Sequence, residues 1–376
     1  MRVGFDAKRL FLNFTGLGNY SRFVVSALSN RYPEDSYVLF SPKSNEHHPE
    51  IAPLLKQPNI TTVLPRGGYR YFKSLWRSWG MSANRAMQSV DIFHGLSQEL
   101  PLGLKRVKKV VTVHDLIYLR FPQFYNPVDV AIYKAKVKAA CAAADIVIAI
   151  SQQTADDLKS FLRVPEKKVR VVYQGCHPSF LITKNEEVKQ MVRSKYGLPD
   201  QFILNVGTIE RRKNVLAIVK ALPRIPLSVR VPLIVVGRAT EYKKEIVEEA
   251  GRLGISNEIR FIHDASFADL PAIYQMASLF VYPSLFEGFG IPLVEAIVSG
   301  VPVVSSTSSC FSEAAGPASR YVDPHDHAEL SHVLSEVLSN DELRKEMISV
   351  SVKHVEAFSP AKIAGDLNAI YQGLLG

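Results

Sequence analysis

Short apolar, β-rich runs alternate with helical windows along the whole chain, and no other feature constrains the fold as tightly. In the first half the strand signals fall near residues 3–5, 37–41, 91–94, 110–114, 145–150 and 169–173. In the second half they fall near 202–207, 233–237, 259–262, 279–283 and 302–305. Helical windows of about ten to fifteen residues separate most of them. Strands that are apolar along their whole length, separated by helices, predict parallel sheets covered on both faces. A single sheet of eleven or more strands would be unusual, so two sheets are expected. The length of 376 residues agrees with two or three domains. The polar, helix-poor stretch 175–185 reads as the linker. The expected division is a domain over 1–178, a second over 179–360, and a C-terminal helix over 361–376 that packs back on the first. Two doubly wound domains place a ligand in the cleft that faces their strand C-termini.

Composition removes several alternatives. No run of about 18 apolar residues occurs, and Met1-Arg2-Val3-Gly4-Phe5-Asp6 reads as a strand entering a loop rather than a signal peptide. The three cysteines, Cys141, Cys176 and Cys310, form no metal or disulfide pattern and suit a reducing compartment. The expected location is cytoplasmic, free or peripheral on the inner face of the membrane. Residues 1–180 carry 25 Lys and Arg against 13 Asp and Glu, whereas the remainder carries 20 against 23. These balances of +12 and −3 give the total of +9. Such asymmetry points either to a face for an anionic partner or to a solvated basic surface. No nucleic-acid-binding motif is present, so nucleic acid is not an expected partner.

The segment from Phe286 to Ala296 carries the most chemistry. A strand ends at Pro283, a loop bearing Gly288 and Gly290 follows, and Pro292 suits the first turn of a helix that Gly300 ends. Glycines permit close approach of a ligand, and the free N–H groups of a helix start form an anion site. Glu287 precedes this nest and Glu295 is expected in the first helical turn, where each could accept from sugar hydroxyls. The competing reading is a pair of acids that complement the helix dipole. Arg212 and Lys213 follow another strand end, where two cations could neutralise a diphosphate, or simply decorate an exposed helix start. His114 sits at a strand C-terminus beside Asp115 and is read as a contact for the sugar or acceptor. The other histidines read as surface residues. Gly16 and Gly18 follow the first strand and open a helix, without completing the dinucleotide pattern.

Taken together these segments resemble the retaining family-four glycosyltransferases of GT-B fold. Glu287 and Glu295 match that family's Glu-x7-Glu pair, with Gly288-Phe289-Gly290-Ile291-Pro292 between them. Thr15-Gly16-Leu17-Gly18-Asn19-Tyr20 matches its N-terminal glycine loop, and Thr112-Val113-His114-Asp115-Leu116 its central His motif. The run from Val206 to Asn214 matches its diphosphate-binding segment, and Gly300-Val301-Pro302-Val303-Val304 the strand that follows the glutamate helix. The resemblance spans essentially the whole chain.

It implies an α/β fold of two Rossmann-like domains facing a central cleft, the first binding acceptor and the second nucleotide sugar. The implied reaction is retaining transfer of a hexose from a nucleotide diphosphate sugar to a glycan or lipid-linked acceptor in polysaccharide biosynthesis. His114, Arg212, Lys213 and Glu287 are the implied catalytic residues. Gly16, Gly18, Thr208, Gly288, Phe289, Gly290, Ile291 and Glu295 join Arg212, Lys213 and Glu287 in donor binding. Thr208 stands where many relatives carry Arg, and Arg212 would replace that charge. The segment looks most like the mannosyltransferase-type branch, which favours GDP-mannose over UDP-sugars. No Asp-x-Asp motif occurs, so no metal and no cofactor is expected. The alternative from another class is a non-catalytic nucleotide-sugar-binding or scaffold subunit.

Residues 69–81 carry a separate signal. On a helical wheel Phe72, Trp76 and Trp79 share a face opposite Arg70, Lys73 and Arg77. An interfacial helix on an anionic membrane, or a core helix with a solvated basic face, gives this pattern.

Overall fold

A computed structural model describes residues 1–376. Residues 1–175 and 358–376 form one compact unit, and residues 176–357 the other. No helix is long and apolar enough to cross a membrane.

The first unit is built on a seven-stranded sheet. Its strands are β1 (Arg2–Asp6), β2 (Ser36–Phe40), β3 (Ile60–Val63), β4 (Ile92–Gly95), β5 (Lys108–Val113), β6 (Ile146–Ala149) and β7 (Val169–Val171). They lie in the order β3-β2-β1-β4-β5-β6-β7, and every pairing is parallel. The second unit holds β8 (Ile203–Val206), β9 (Leu233–Val236), β10 (Ile259–Ile262), β11 (Leu279–Tyr282), β12 (Val303–Ser306) and β13 (Arg320–Val322). Its parallel order is β10-β9-β8-β11-β12-β13. Both sheets are therefore doubly wound, as the alternation predicts. The chain direction across the sheet reverses between β1 and β4, and again between β8 and β11. At such switch points the loops after neighbouring strands part, and ligands bind there.

Burial explains the sequence pattern. β9 and β11 are buried along their whole length, so every residue in them is apolar or aromatic. The chain leaves the first unit at Gly175, where a Cβ would stand 2.2 Å from the Phe23 ring and 2.5 Å from Phe358 O, so only glycine fits. The segment beyond it is not a solvated linker. It turns through a short 3₁₀ helix, Pro178–Leu181, and buries Phe180 edge-on against Tyr274 with ring centroids 5.5 Å apart. At the other end Ser359 caps the helix Pro360–Leu375, which packs on the helix Gly16–Arg31 of the first unit.

Residues 69–81 depart from expectation. They form a 3₁₀ turn (Gly67–Arg70), a single α-turn (Lys73–Leu75) and a π-turn (Trp76–Gly80), not one continuous helix. Trp76 is buried in a cluster with Phe40, Phe93 and Met81. The Arg77 guanidinium reaches Asp6 Oδ2 at 2.6 Å and Glu99 Oε2 at 2.5 Å. Two partly enclosed carboxylates capture Arg77, so it does not join a solvated basic face. Phe72, Trp79 and Arg70 remain exposed, and Lys73 is half-buried.

Candidate active site

The switch point of the second unit gathers most of the expected residues. β8 ends at Val206, and the chain turns at Gly207 with φ of 150°. Thr208 follows, and the loop runs beside the one after β9, where Ile209 N donates to Arg238 O. Arg211–Lys213 make one 3₁₀ turn, and Asn214 in left-handed conformation fastens it by donating to Pro283 O and Pro324 O. Leu285 N and Ser284 Oγ both donate to Arg212 O, which stitches the β8 loop to the β11 loop.

Across that seam lies a compact ionic cluster. One oxygen of Glu287, Oε1, faces Arg212 Nη1 at 2.7 Å and accepts from Lys213 Nζ at 2.6 Å, Ser284 Oγ at 2.7 Å and Tyr282 OH at 3.2 Å. Arg212 also donates to Phe286 O and to Glu210. Burial alone would raise the Glu287 pKa, but Lys213 and Arg212 reverse this and hold it at about 2. Burial pulls Lys213 below its ordinary value even with Glu287 attached. The side chains of Arg212 and Lys213 are only 16% and 13% exposed, so they do not decorate an exposed helix start. Glu287 is their counter-ion.

The loop after Glu287 ends at Gly290, whose φ of 103° suits glycine, and the helix Ile291–Val298 begins there without any side-chain cap. Phe289 is buried and Ile291 half-buried at this start. Pro292 has no N–H and Leu293 N donates to Gly290 O, so Ile291 N–H is the donor of this start that no side chain caps. Glu295 lies in the second turn of this helix, not the first. Its Oε2 accepts from Tyr274 OH at 3.0 Å, and burial raises its pKa to about 7.

A set of positioning residues escaped the sequence reading. Ser305, Ser306, Ser308 and Ser309 donate in turn to the carbonyls of Tyr282, Ser284, Leu285 and Glu287, over 2.6–3.0 Å. The Cys310 thiol lies 3.3 and 3.0 Å from Glu287 O and Phe289 O. This ladder holds the strand end and the Gly288 loop against β12. Its signal was present as the run Ser305-Ser306-Thr307-Ser308-Ser309-Cys310, five hydroxyls and a thiol that begin in the last two residues of β12.

In the first unit, Gly16 and Gly18 open the helix Gly16–Arg31 as expected. A Cβ on Gly18 would stand 1.7 Å from Asn13 O, whereas Gly16 is unobstructed. Asn13 Oδ1 caps this start by accepting from Thr15 N and Gly18 N. His114 follows β5 and is 5% exposed. Its Nε2 donates to Leu96 O at 2.8 Å, which leaves Nδ1 to accept from Gln174 Nε2 at 3.2 Å. Burial lowers its pKa to about 4, so it is neutral at pH 7. His94 is not a surface histidine. It is fully buried, with Tyr371 OH 2.6 Å from Nδ1 and Thr112 Oγ1 2.8 Å from Nε2.

Comparison with known proteins gives this geometry a family. A family model described as "Glycosyltransferase Family 4" matches residues 16–180, and one described as "Glycosyl transferases group 1" matches residues 188–353. The chain belongs to the family-4 glycosyltransferases. Among curated relatives of this family, O-antigen chain mannosyltransferase B of Escherichia coli is 26% identical over 96% of each chain. The serotype-specific mannosyltransferase WbdA of Escherichia coli is 30% identical over 81% of this chain, which spans 40% of the length of WbdA. Among solved structures, a glycosyltransferase from Rickettsia africae matches with a TM-score of 0.75 at 16% identity, covering 100% of this chain and 98% of that one. Anabaena HepE, solved with UDP and glucose, matches with a TM-score of 0.74 at 18% identity over 99% and 100%. Both establish the GT-B glycosyltransferase fold.

Proposed function

We propose that this glycosyltransferase moves a mannosyl residue from GDP-mannose, favoured over UDP-sugars, to a growing glycan with retention of anomeric configuration. The supporting observation is the Arg212–Lys213–Glu287 cluster at the switch point of the second unit, beside an uncapped helix start. In this reading the donor diphosphate displaces Glu287 as counter-ion. Arg212, Lys213 and the Ile291 N–H region then stabilise charge as the diphosphate departs. Glu287, released from the cations, accepts from hydroxyls of the transferred sugar, and Glu295 accepts from the ribose. By the family resemblance, Gly16 and Gly18 are assigned to the donor and neutral His114 to the sugar, once Gln174 yields Nδ1. These groups supply the positive charge themselves, so the reaction proceeds without metal or other cofactor. The mannosyltransferase names of the relatives support the sugar and a role in polysaccharide biosynthesis. The acceptor is a glycan or a lipid-linked saccharide at the cytoplasmic face of the membrane.

The test is transfer from GDP-mannose and from UDP-glucose to oligomannoside acceptors in excess EDTA, with the product anomer read by NMR. Mannose transfer with an α-linkage from the α-donor supports the reading. Binding of GDP-mannose without any turnover would instead favour a non-catalytic subunit, and an inverted product would overturn retention.

A further inference from the structure

The forty residues from 51 to 90 contain no Asp or Glu, yet they carry Lys56, Arg66, Arg70, Lys73, Arg77 and Arg85. Only Arg77 finds carboxylates, and both of these come from outside the segment. Arg66, Arg70 and Arg85 line one groove of about 600 Å³ at the C-terminal end of β3, the free edge of the first unit's sheet. The remaining wall is Thr62–Pro65 with Asn84 and Ala86, so no acid faces the groove. All three arginines are exposed and engage no carboxylate. Arg70 stands between Tyr69 and Tyr71, and Tyr71 and Phe72 are 86% and 65% exposed.

Three like charges around one concavity repel each other, and the fold neutralises none of them. Guanidinium forks match phosphate oxygens in a bidentate manner, and exposed aromatic rings beside them suit an apolar chain or interface. We propose that this groove is a phosphate-binding site, distinct from the donor cluster of the other unit, that takes the phosphate or diphosphate headgroup of an amphiphilic molecule. Arg66, Arg70 and Arg85 clamp the phosphate oxygens. Tyr71 and Phe72 meet the hydrocarbon that the phosphate carries. This site does not depend on which sugar is transferred, and it can stand if the donor assignment fails.

The experiment uses the full chain and three charge variants. Arg66→Gln/Arg70→Gln/Arg85→Gln removes the groove charges, Arg212→Gln/Lys213→Gln removes the donor charges, and Lys105→Gln/Lys134→Gln/Lys138→Gln is a control in exposed lysines of the same unit. Inorganic pyrophosphate is titrated calorimetrically into each, after circular dichroism confirms folding. The expected result is two binding events in the wild type and in the control. The groove variant loses one and the donor variant loses the other. At about tenfold per arginine, the groove event should weaken by at least about 100-fold. A single event that survives in the groove variant overturns the proposal. Equal weakening in the lysine control also overturns it, since diffuse charge would then account for binding.

Vesicles distinguish the source of the phosphate. Co-sedimentation at low salt with phosphatidylcholine vesicles containing one-fifth phosphatidic acid, lost in the groove variant and absent with pure phosphatidylcholine, identifies a lipid headgroup. Pyrophosphate binding without vesicle binding identifies a soluble phosphate and overturns the amphiphile.

Discussion

Removing the charge of Glu287 should expose how tightly the donor cluster is wound in the absence of ligand. In Glu287→Gln two enclosed cations, Arg212 and Lys213, lose the carboxylate 2.6–2.7 Å away while keeping their mutual repulsion. The magnitude follows from the pKa. A shift from the ordinary 4.5 to about 2 corresponds to about 3 kcal/mol of stabilisation in the charged form. Breaking a buried ion pair from one side costs a similar 3–5 kcal/mol or so. The sign with pH follows from linkage. A depressed carboxylate pKa stabilises the fold fully above about 4.5, and this is lost as pH falls toward about 2. The variant should therefore be less stable than wild type by about 3 kcal/mol at pH 7, and the gap should narrow below pH 4. Both tryptophans, Trp76 and Trp79, belong to the other unit, so their fluorescence is the wrong probe. Urea unfolding followed by circular dichroism, with hydrogen exchange of residues 279–298, reports the second unit. Adding Lys213→Met to Glu287→Gln should restore part of the loss by removing one stranded cation. Equal stability of wild type and Glu287→Gln at pH 7 would refute the counter-ion argument.

Three further outcomes follow. Lys213→Met should lower kcat/KM by roughly 30- to 1000-fold while the fold survives, since one fixed cation at a departing diphosphate contributes on the order of 2–4 kcal/mol; unchanged kinetics would remove it from the site. Ionised Glu295 is the stronger acceptor for ribose hydroxyls, so donor KM should rise as pH falls through about 7, and Glu295→Gln should flatten that profile while changing kcat less than KM. The same raised pKa favours the protonated folded form, so its contribution to stability is present below about 4.5 and lost as pH rises through about 7. Gly18→Ala should cost several kcal/mol, on the order of 3, because its Cβ overlaps the Asn13 carbonyl, whereas Gly16→Ala should be nearly neutral for stability; comparable melting temperatures for the two would contradict the loop geometry.

What could be read from the chain, and what could not, divides by the reach of the interaction. Central strands such as β9 and β11 announce themselves because both faces are buried and each residue must be apolar. The edge strands β3 and β13 went unread, since Ile60-Thr61-Thr62-Val63 and Arg320-Tyr321-Val322 are half-buried and mix polar with apolar residues. Gly18 and Gly290 were legible because local backbone geometry demands them, and the Glu287–Glu295 pair because it resembles the family's Glu-x7-Glu motif. Arg77 was not, because a helical wheel sees neighbours three and four residues away. Its partners lie 71 and 22 residues away in sequence. Asp6 and Glu99 hold it, and the segment forms three short turns instead of one helix. His94 was misread for the same reason, since its partner Tyr371 is 277 residues distant. The serine ladder was visible as composition, but which carbonyls it serves depends on the pairing of β11 with β12.

A crystal structure with GDP bound tests the central claim most directly. The account predicts diphosphate oxygens within about 3 Å of Lys213 Nζ and of the helix start at Ile291, Glu287 turned away from the cations, and ribose hydroxyls on Glu295. GDP bound elsewhere, with the Lys213–Glu287 pair intact at 2.6 Å, would contradict it.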